Sequence, residues 1–189
     1  LFKVDNQGSI VPEFSLSPAG QHMVYIRETV RQPDGRILIA GAFNNIEGLE
    51  RYRIARLFPE GQVDPSFDAG LIGGLFPSHT TEMINSVEIL PDGDIMIAGR
   101  FEMVQGVSRR HLARLAPDGT LRQDWDAQVQ GSEITEIKLL DSGEMAIYGA
   151  ITNMGGIEVH GIARIHMAQP IPPSAAITSP ENGAIFSLD

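Results

Sequence analysis

The sequence predicts an all-β protein that is built from repeated units. Three near-copies of one eleven-residue stretch carry this prediction, and the middle copy runs from Pro91 to Phe101. The other copies run from Pro33 to Phe43 and from Asp141 to Ile151. Each copy opens with a glycine-containing turn and continues as an apolar run, as expected for a hairpin and a strand. Self-similarity at a long period indicates a repeat architecture.

Two sets of glycines fix the period. The first and second units are 58 residues apart, and the second and third are 50 apart. The glycines are Gly35, Gly93 and Gly143 in the turns, and Gly41, Gly99 and Gly149 in the strands that follow. The interval between the two sets does not change, so the difference in length must lie in the connections between strands.

The second unit shows the strand pattern most clearly. Its strands are predicted at 86–90, 94–101, 110–116 and 120–125, which gives a four-stranded antiparallel meander. In the second strand Ile95, Ile97 and Phe101 face one side, whereas Met96 and Ala98 face the other. A strand that is apolar on both faces is covered on both sides. Small sheets that cover one another in this way are the blades of a β-propeller.

The motifs follow one order along the chain: a Pro-Asp-Gly turn, an Ile-Ala-Gly-x-Phe strand, a glycine in the next loop, Ala-Arg-Leu, Asp-Gly and Asp-x-x-Phe. The loop glycines are Gly48, Gly106 and Gly156. This order resembles the delta-60 β-propeller repeat family. The third unit departs from the pattern, because it lacks the proline and has Ile151 in place of the aromatic residue. The resemblance implies a secreted or cell-surface bacterial protein, from a family without an established catalytic site.

The domain organisation follows from the repeats. Residues 1–167 are predicted to form propeller repeats, divided into a partial unit at 1–21 and full units at 22–79, 80–130 and 131–167. A Pro-rich linker is predicted at 168–175. Residues 176–189 resemble the opening strand of a bacterial immunoglobulin-like domain. Three repeats also suit a β-trefoil or β-prism with threefold pseudosymmetry, which is the alternative fold.

Three units are fewer than the four to eight blades of most propellers. If each terminal face exposes about four or five apolar side chains, the hydrophobic stabilisation that is lost is on the order of 6 to 15 kcal/mol per face. We therefore expect the ring to be completed by other domains of the same long chain or by a second copy. The chain has no initiator Met, which also suggests a piece of a longer protein.

Composition excludes several classes of function. The 189 residues carry a formal net charge of −10, which argues against a nucleic-acid surface. Cysteine is absent, so disulfides and thiolate metal sites are excluded. No apolar stretch approaches the roughly 20 residues that span a bilayer. The 42% of hydrophobic residues is an ordinary globular composition.

No pattern indicates a metal, a cofactor or a catalytic centre. Five histidines lack metal-ligand spacing, and Asp92, Asp94 and Asp118 lack the EF-hand pattern. The histidines are His22, His79, His111, His160 and His166. Nucleophile-elbow, phosphate-loop and dinucleotide motifs are also missing. We predict a non-catalytic module. The alternative is a glycan-active hydrolase or lyase with carboxylates at the ring centre.

Two groups of arginines are candidates for different roles. The repeated ones are predicted to contact their own or an adjacent blade, and they are Arg56, Arg114 and Arg164. The loops at 44–52, 102–110 and 152–160 differ most between units, and binding in repeat folds usually lies in such loops. Their exposed-looking residues are candidates for gripping a carboxylate or a sugar ring, and they are Arg51, Tyr52, Arg109 and Arg110. The expected partners are surface proteins or glycans.

Overall fold

A computed structural model of the chain describes residues 2–4, 7, 10–15, 18–19, 25–70, 72–73 and 82–167. These residues form strands and no helix, so none of them belongs to a helix that could cross a membrane. The strands are β1 (Phe2–Val4), β2 (Ile10–Ser15), β3 (Pro18–Ala19), β4 (Tyr25–Arg31), β5 (Ile37–Ala42), β6 (Asn45–Ile46), β7 (Leu49–Glu50), β8 (Ile54–Leu57), β9 (Ile72–Gly73), β10 (Met83–Ile89), β11 (Ile95–Arg100), β12 (Met103–Val104), β13 (Val107–Ser108), β14 (Leu112–Leu115), β15 (Val129–Leu139), β16 (Glu144–Met154), β17 (Ile157–Glu158) and β18 (Ile162–His166). The predicted linker and immunoglobulin-like strand lie outside the described residues, as do His22 and His79.

Each repeat forms one antiparallel sheet with its middle strand in the centre. The first unit has the order β4-β5-β8, and the second has β10-β11-β14. In the third unit β16 pairs with β15 on one side and with β17 and β18 on the other. Each unit thus has a turn end, where the glycine turn joins its first two strands, and a loop end, where the middle strand runs into a second hairpin.

The middle strands of the first two units are buried on both faces, as the sequence predicts. Met96 and Ala98 pack into one apolar cluster with residues of the third unit. Ile95, Ile97 and Phe101 pack into another cluster with residues of the first unit. The sheets therefore stack face to face along the chain, with the core between them. This stacking is the arrangement of blades in a propeller rather than that of a trefoil.

The fourth strand of the first two units is shorter than predicted. At 120–125 the second unit forms a single bridge between Leu115 and Leu121, with hydrogen bonds from Ala116 N to Thr120 O at 2.7 Å and from Arg122 N to Arg114 O at 2.9 Å. The chain then turns, because Trp125 N donates to Arg122 O. Prediction of a regular four-stranded meander was wrong for this strand. The first unit has the same single bridge, between Leu57 and Val63.

The second glycine of each unit permits a close approach of two strands. A Cβ atom on Gly99 would lie 2.2 Å from Met83 O, and one on Gly41 would lie 2.2 Å from Tyr25 O. The register of β10 on β11 shifts at this point, between Ile84 and Ser86. A side chain at these positions would push the first strand of the unit away from the middle strand.

The terminal faces expose fewer large apolar side chains than the sequence analysis assumes. Ile39 and Leu57, at the outer side of the first unit, are fully buried. On the outer side of the third unit the middle strand carries Ala146, Tyr148 and Ala150. Among the described residues only Tyr148 and Leu49 are large exposed hydrophobic side chains. The third unit thus exposes fewer large apolar side chains than the four or five assumed for a bare face, because small residues replace large ones there.

Candidate functional site

Two arginines of the loop end are buried and donate hydrogen bonds to backbone carbonyls of their own unit. Arg51 is 8% exposed, and its guanidinium donates to the carbonyl oxygens of Glu50 at 2.7 Å and Pro65 at 3.2 Å. Arg109 is 6% exposed, and it donates in the same way to Ser108 O at 2.8 Å and Gln123 O at 2.7 Å. The expectation that these two arginines are exposed was wrong. They brace the loop against the segment after the third strand, since they cap backbone carbonyls there.

The other two candidate residues of the loop end are more accessible. Tyr52 is half-buried and Arg110 is exposed. The third unit has Val159 at the position of Arg51 and Arg109, and its backbone N–H donates to Thr152 O at 3.0 Å. None of the four candidate residues lines either of the two clefts that are described below.

The turn end of the first unit holds a buried ion cluster. Asp64 is 1% exposed, and its Oδ2 atom lies 2.8 Å from Arg56 Nε and 3.5 Å from Arg36 Nε. Its Oδ1 atom accepts hydrogen bonds from Ser66 N at 2.9 Å and Ser66 Oγ at 2.6 Å. Arg56 also donates to Pro117 O of the second unit at 2.5 Å. This cluster therefore joins two neighbouring units.

The second unit builds the same cluster with two charges exchanged. Asp94 stands at the position of Arg36, and Arg122 stands at the position of Asp64. The Oδ2 atom of Asp94 lies 2.7 Å from Arg114 Nε, and its Oδ1 atom lies 2.8 Å from Arg122 Nη2. Each unit thus places one buried carboxylate between two arginines, although the carboxylate comes from opposite sides of the cluster.

The two carboxylates are held in the charged form. Burial works against ionisation of Asp64, but the hydrogen bonds from Ser66 and Arg56 outweigh it and lower the pKa. Burial likewise opposes ionisation of Asp94, and hydrogen bonds from Arg122 and Arg114 lower its pKa. Both groups stabilise the fold above their ordinary pKa, and this contribution is lost as the pH falls through the lowered value.

The third unit has a simpler pair at this place. Arg164 Nη1 lies 3.3 Å from Glu144 Oε2. All three repeated arginines therefore contact a carboxylate of their own unit, and Arg56 also reaches the next unit.

Two clefts lie at the turn end between neighbouring units. The first cleft, between the first and second units, has a volume of about 860 Å³. Its lining residues include Arg31, Gln32, Pro33, Glu88, Pro91 and Pro117. The second cleft, between the second and third units, has a volume of about 620 Å³ and lies against the Asp94 cluster. Its rim includes Met167, which borders residues outside the described part.

Glutamates of the first strands also join neighbouring units. The carboxylate of Glu28 accepts the backbone N–H of Val87 in the second unit. The carboxylate of Glu88 accepts the N–H of Leu139 in the third unit at 3.2 Å. Burial raises the pKa of Glu28, and the charges of Glu88 and Glu136 raise it further against the hydrogen bonds from Val87 and Ser86. These acids come from three units, but those of the first two are used as contacts between strands.

The described residues contain no group of three His, Asp or Glu side chains that could hold a metal ion. His111 is 6% exposed, and burial lowers its pKa. Its backbone φ of 64° lies in the left-handed region, as does that of Arg53 at the equivalent position. Both residues therefore shape the loop end.

A family model described as a domain of unknown function (DUF5122) with a β-propeller fold matches residues 32–67 and 90–121. These stretches hold the turn, the middle strand and the third strand of the first two units. The repeats are β-propeller units. The match of this model to both units supports a β-propeller repeat family. No curated protein matches the sequence significantly.

Several residues of the turn end are absent from the sequence-based predictions. Asp64 and Arg122 were not singled out, although they are equivalent positions with opposite charge. Gln32 was also missed, although the second and third units have Leu90 and Leu140 at its position. A comparison of equivalent positions, rather than a search for shared motifs, would find these residues.

Proposed function

We propose that the chain is a non-catalytic structural or recognition module of a multidomain bacterial protein that is secreted or held at the cell surface. One observation carries the proposal: the repeated charged side chains are used to join strands and units. Arg56, Asp64 and Asp94 are all buried in such contacts. A stack of sheets whose charged side chains are engaged in internal contacts is suited to hold a binding surface in place.

The turn end is the better binding surface of the two ends. Its clefts lie between units and are concave, as ligand sites usually are. At the loop end, two of the four candidate side chains are already engaged in internal hydrogen bonds. The proposed ligands are protein or glycan partners. A nucleic-acid partner does not fit the net charge of −10.

The resemblance to delta-60 repeats supports the bacterial surface location. So do the Pro-rich stretch at 168–175 and the likeness of residues 176–189 to an immunoglobulin-like strand. In such a protein the partners of this module include other domains of the same long chain. A second copy that closes the ring is the alternative partner of this kind, and the mass of the chain in solution separates the two.

A glycan-active hydrolase or lyase is the alternative. Carboxylates on the first strands of three units favour it, because Glu28 interacts electrostatically with Glu88 and Glu136. Enzymes of this class need one carboxyl group as acid and another as base or nucleophile. Against this alternative, Glu28 and Glu88 already accept backbone hydrogen bonds from the next unit.

A glycan array combined with an assay for released reducing ends separates these functions. Binding without release of sugar supports recognition, whereas release that disappears in Glu28→Gln or Glu88→Gln would establish the enzyme. Neither binding nor release would restrict the module to a structural role. Wild-type circular dichroism spectra for both variants are the control for folding.

A further inference from the structure

Gln32 breaks the repeat at a buried position of the first cleft. It is 9% exposed, and its backbone N–H donates to Arg36 O at 2.7 Å. Leu90 and Leu140 make the equivalent backbone hydrogen bonds in the other units. The backbone role is therefore the same in all units, and it does not explain why an amide side chain stands in the first.

The amide oxygen of Gln32 lacks a donor. Among the described residues it is the only buried side-chain oxygen that accepts no hydrogen bond. An unsatisfied buried acceptor costs stability, whereas a leucine at this position would cost none. A polar group that is retained against this cost and lines a cleft is a candidate for ligand contact.

The prolines that line the first cleft favour a sugar over an extended peptide as its ligand. Pro33, Pro91 and Pro117 supply apolar ring surfaces at the exposed rim, but they have no backbone N–H. An extended peptide needs such donors from the segment on which it lies. A sugar ring needs none of them, because its C–H face can lie on apolar rings while its hydroxyl groups bond to side chains.

A charged side chain also flanks the amide. The Arg31 side chain is exposed and makes no ion pair or hydrogen bond within the described part of the chain. Glu88 lines the same cleft, but its carboxylate accepts the N–H of Leu139 in the third unit. Arginine donates to sugar oxygens, and a glutamine oxygen accepts from a sugar hydroxyl. The cleft volume of about 860 Å³ is within the range of small-ligand sites.

We infer that the first cleft is a carbohydrate site, in which a sugar hydroxyl donates to Gln32 Oε1 and the ring lies against the prolines of the rim. This inference rests on the proposed recognition function and assigns it to one cleft. The second cleft has Leu90 at the equivalent position and so lacks the amide.

The test uses the whole chain labelled with ¹⁵N, with resonances observed in a two-dimensional amide spectrum. The probes are free glucose, galactose, mannose, N-acetylglucosamine and glucuronate, each added to millimolar concentration. We expect at least one sugar to shift the side-chain amide signals of Gln32 and the backbone signals of Arg31. Gln32→Leu, which installs the residue of the other units, should abolish the saturable shifts around the cleft. Arg31→Ala, which keeps the amide, should weaken binding about tenfold.

Arg110→Ala is the matched control, because Arg110 is exposed at the loop end. Shifts that persist in Gln32→Leu and vanish in Arg110→Ala would overturn the cleft site and leave the recognition function standing. No saturable shift with any of the five sugars would overturn the carbohydrate ligand. Capture of a protein partner that does not respond to Gln32→Leu would then show that the recognition function survives without this site.

Discussion

Gln32 is the residue at which binding and stability are expected to oppose each other. Gln32→Leu removes the buried oxygen without a donor, so we expect the free energy of unfolding to rise by about 1 kcal/mol. Leu90→Gln is the reverse change at the equivalent position, and it should lower the free energy of unfolding by about 1 to 3 kcal/mol. Urea unfolding measures both, and a destabilised Gln32→Leu would contradict the assignment of an unsatisfied amide.

Arg114 tests whether the repeated arginines stabilise the unit that contains them. Arg114→Ala leaves Asp94 buried with Arg122 as its remaining cation, so we expect a loss of about 1 to 3 kcal/mol in the free energy of unfolding. Arg110→Ala removes an exposed charge at the other end of the same unit and should change stability by less than about 0.5 kcal/mol. Thermal melting compares the two variants. Equal melting temperatures would refute the structural role of Arg114.

Glu28 gives a pH dependence of the opposite sign to the buried aspartates. Its pKa is raised from the ordinary 4.5, so the folded chain binds the proton more tightly than the unfolded chain does. Stability therefore falls as the pH rises from 4.5 through the raised pKa. Glu28→Gln keeps an oxygen for Val87 N–H and removes this loss.

We expect Glu28→Gln to match the wild type near its ordinary pKa and to exceed it at a pH of about 8. The gain should stay below about 1 kcal/mol, because a half-exposed carboxylate is screened by solvent. Urea unfolding at both pH values gives the difference. A variant that is less stable at the higher pH would contradict the raised pKa.

At the scale of the strand, the second glycine of each unit sets the spacing of the first two strands. Gly99→Ala would place a Cβ atom 2.2 Å from Met83 O, and we expect a loss of about 3 kcal/mol in the free energy of unfolding. Gly48→Ala is the control, because it meets no atom within 4 Å but lies at a φ of 84°. It should cost about 1 kcal/mol. A smaller effect for Gly99→Ala than for Gly48→Ala would contradict the close approach.

The sequence predicts a strand well where apolar side chains alone indicate which of its faces are buried. The two-faced apolar pattern of Ile95 to Phe101 correctly places β11 between two clusters. The fourth strand is less predictable, because its length depends on the turn that Trp125 N makes with Arg122 O. The burial of Arg51 and Arg109 also cannot be predicted from the sequence, since their acceptors are backbone carbonyls of a distant segment.

The candidate site is harder to predict than the fold. The first cleft forms between residues about sixty positions apart, and no local pattern marks it. Its one sequence signal is a polar residue where the other units have leucine. Such a signal is visible only after the units have been superimposed in register, which the glycine spacing permits.

At the scale of the whole molecule, the terminal faces bear on the state of the chain in solution. Tyr148, which is 59% exposed, and Leu49 are the only large exposed hydrophobic side chains among the described residues. Obligate dimers bury large apolar surfaces, so we expect light scattering after size exclusion to give the mass of one chain. A dimer that dissociates in Tyr148→Ala would instead show that a second copy covers the third unit.

The exchanged charges of the first two units have a consequence for folding. Repeats that are nearly alike can pair with the wrong partner before the chain is fully folded. If the turn of the first unit met the last strand of the second, Arg36 would face Arg122. The converse error would bring Asp94 against Asp64. Each wrong pairing thus brings like charges together, and the second would bury two carboxylates against each other, whereas the correct neighbours neutralise each other. We therefore expect the exchanged charges to favour the pairing of each hairpin with its own sheet.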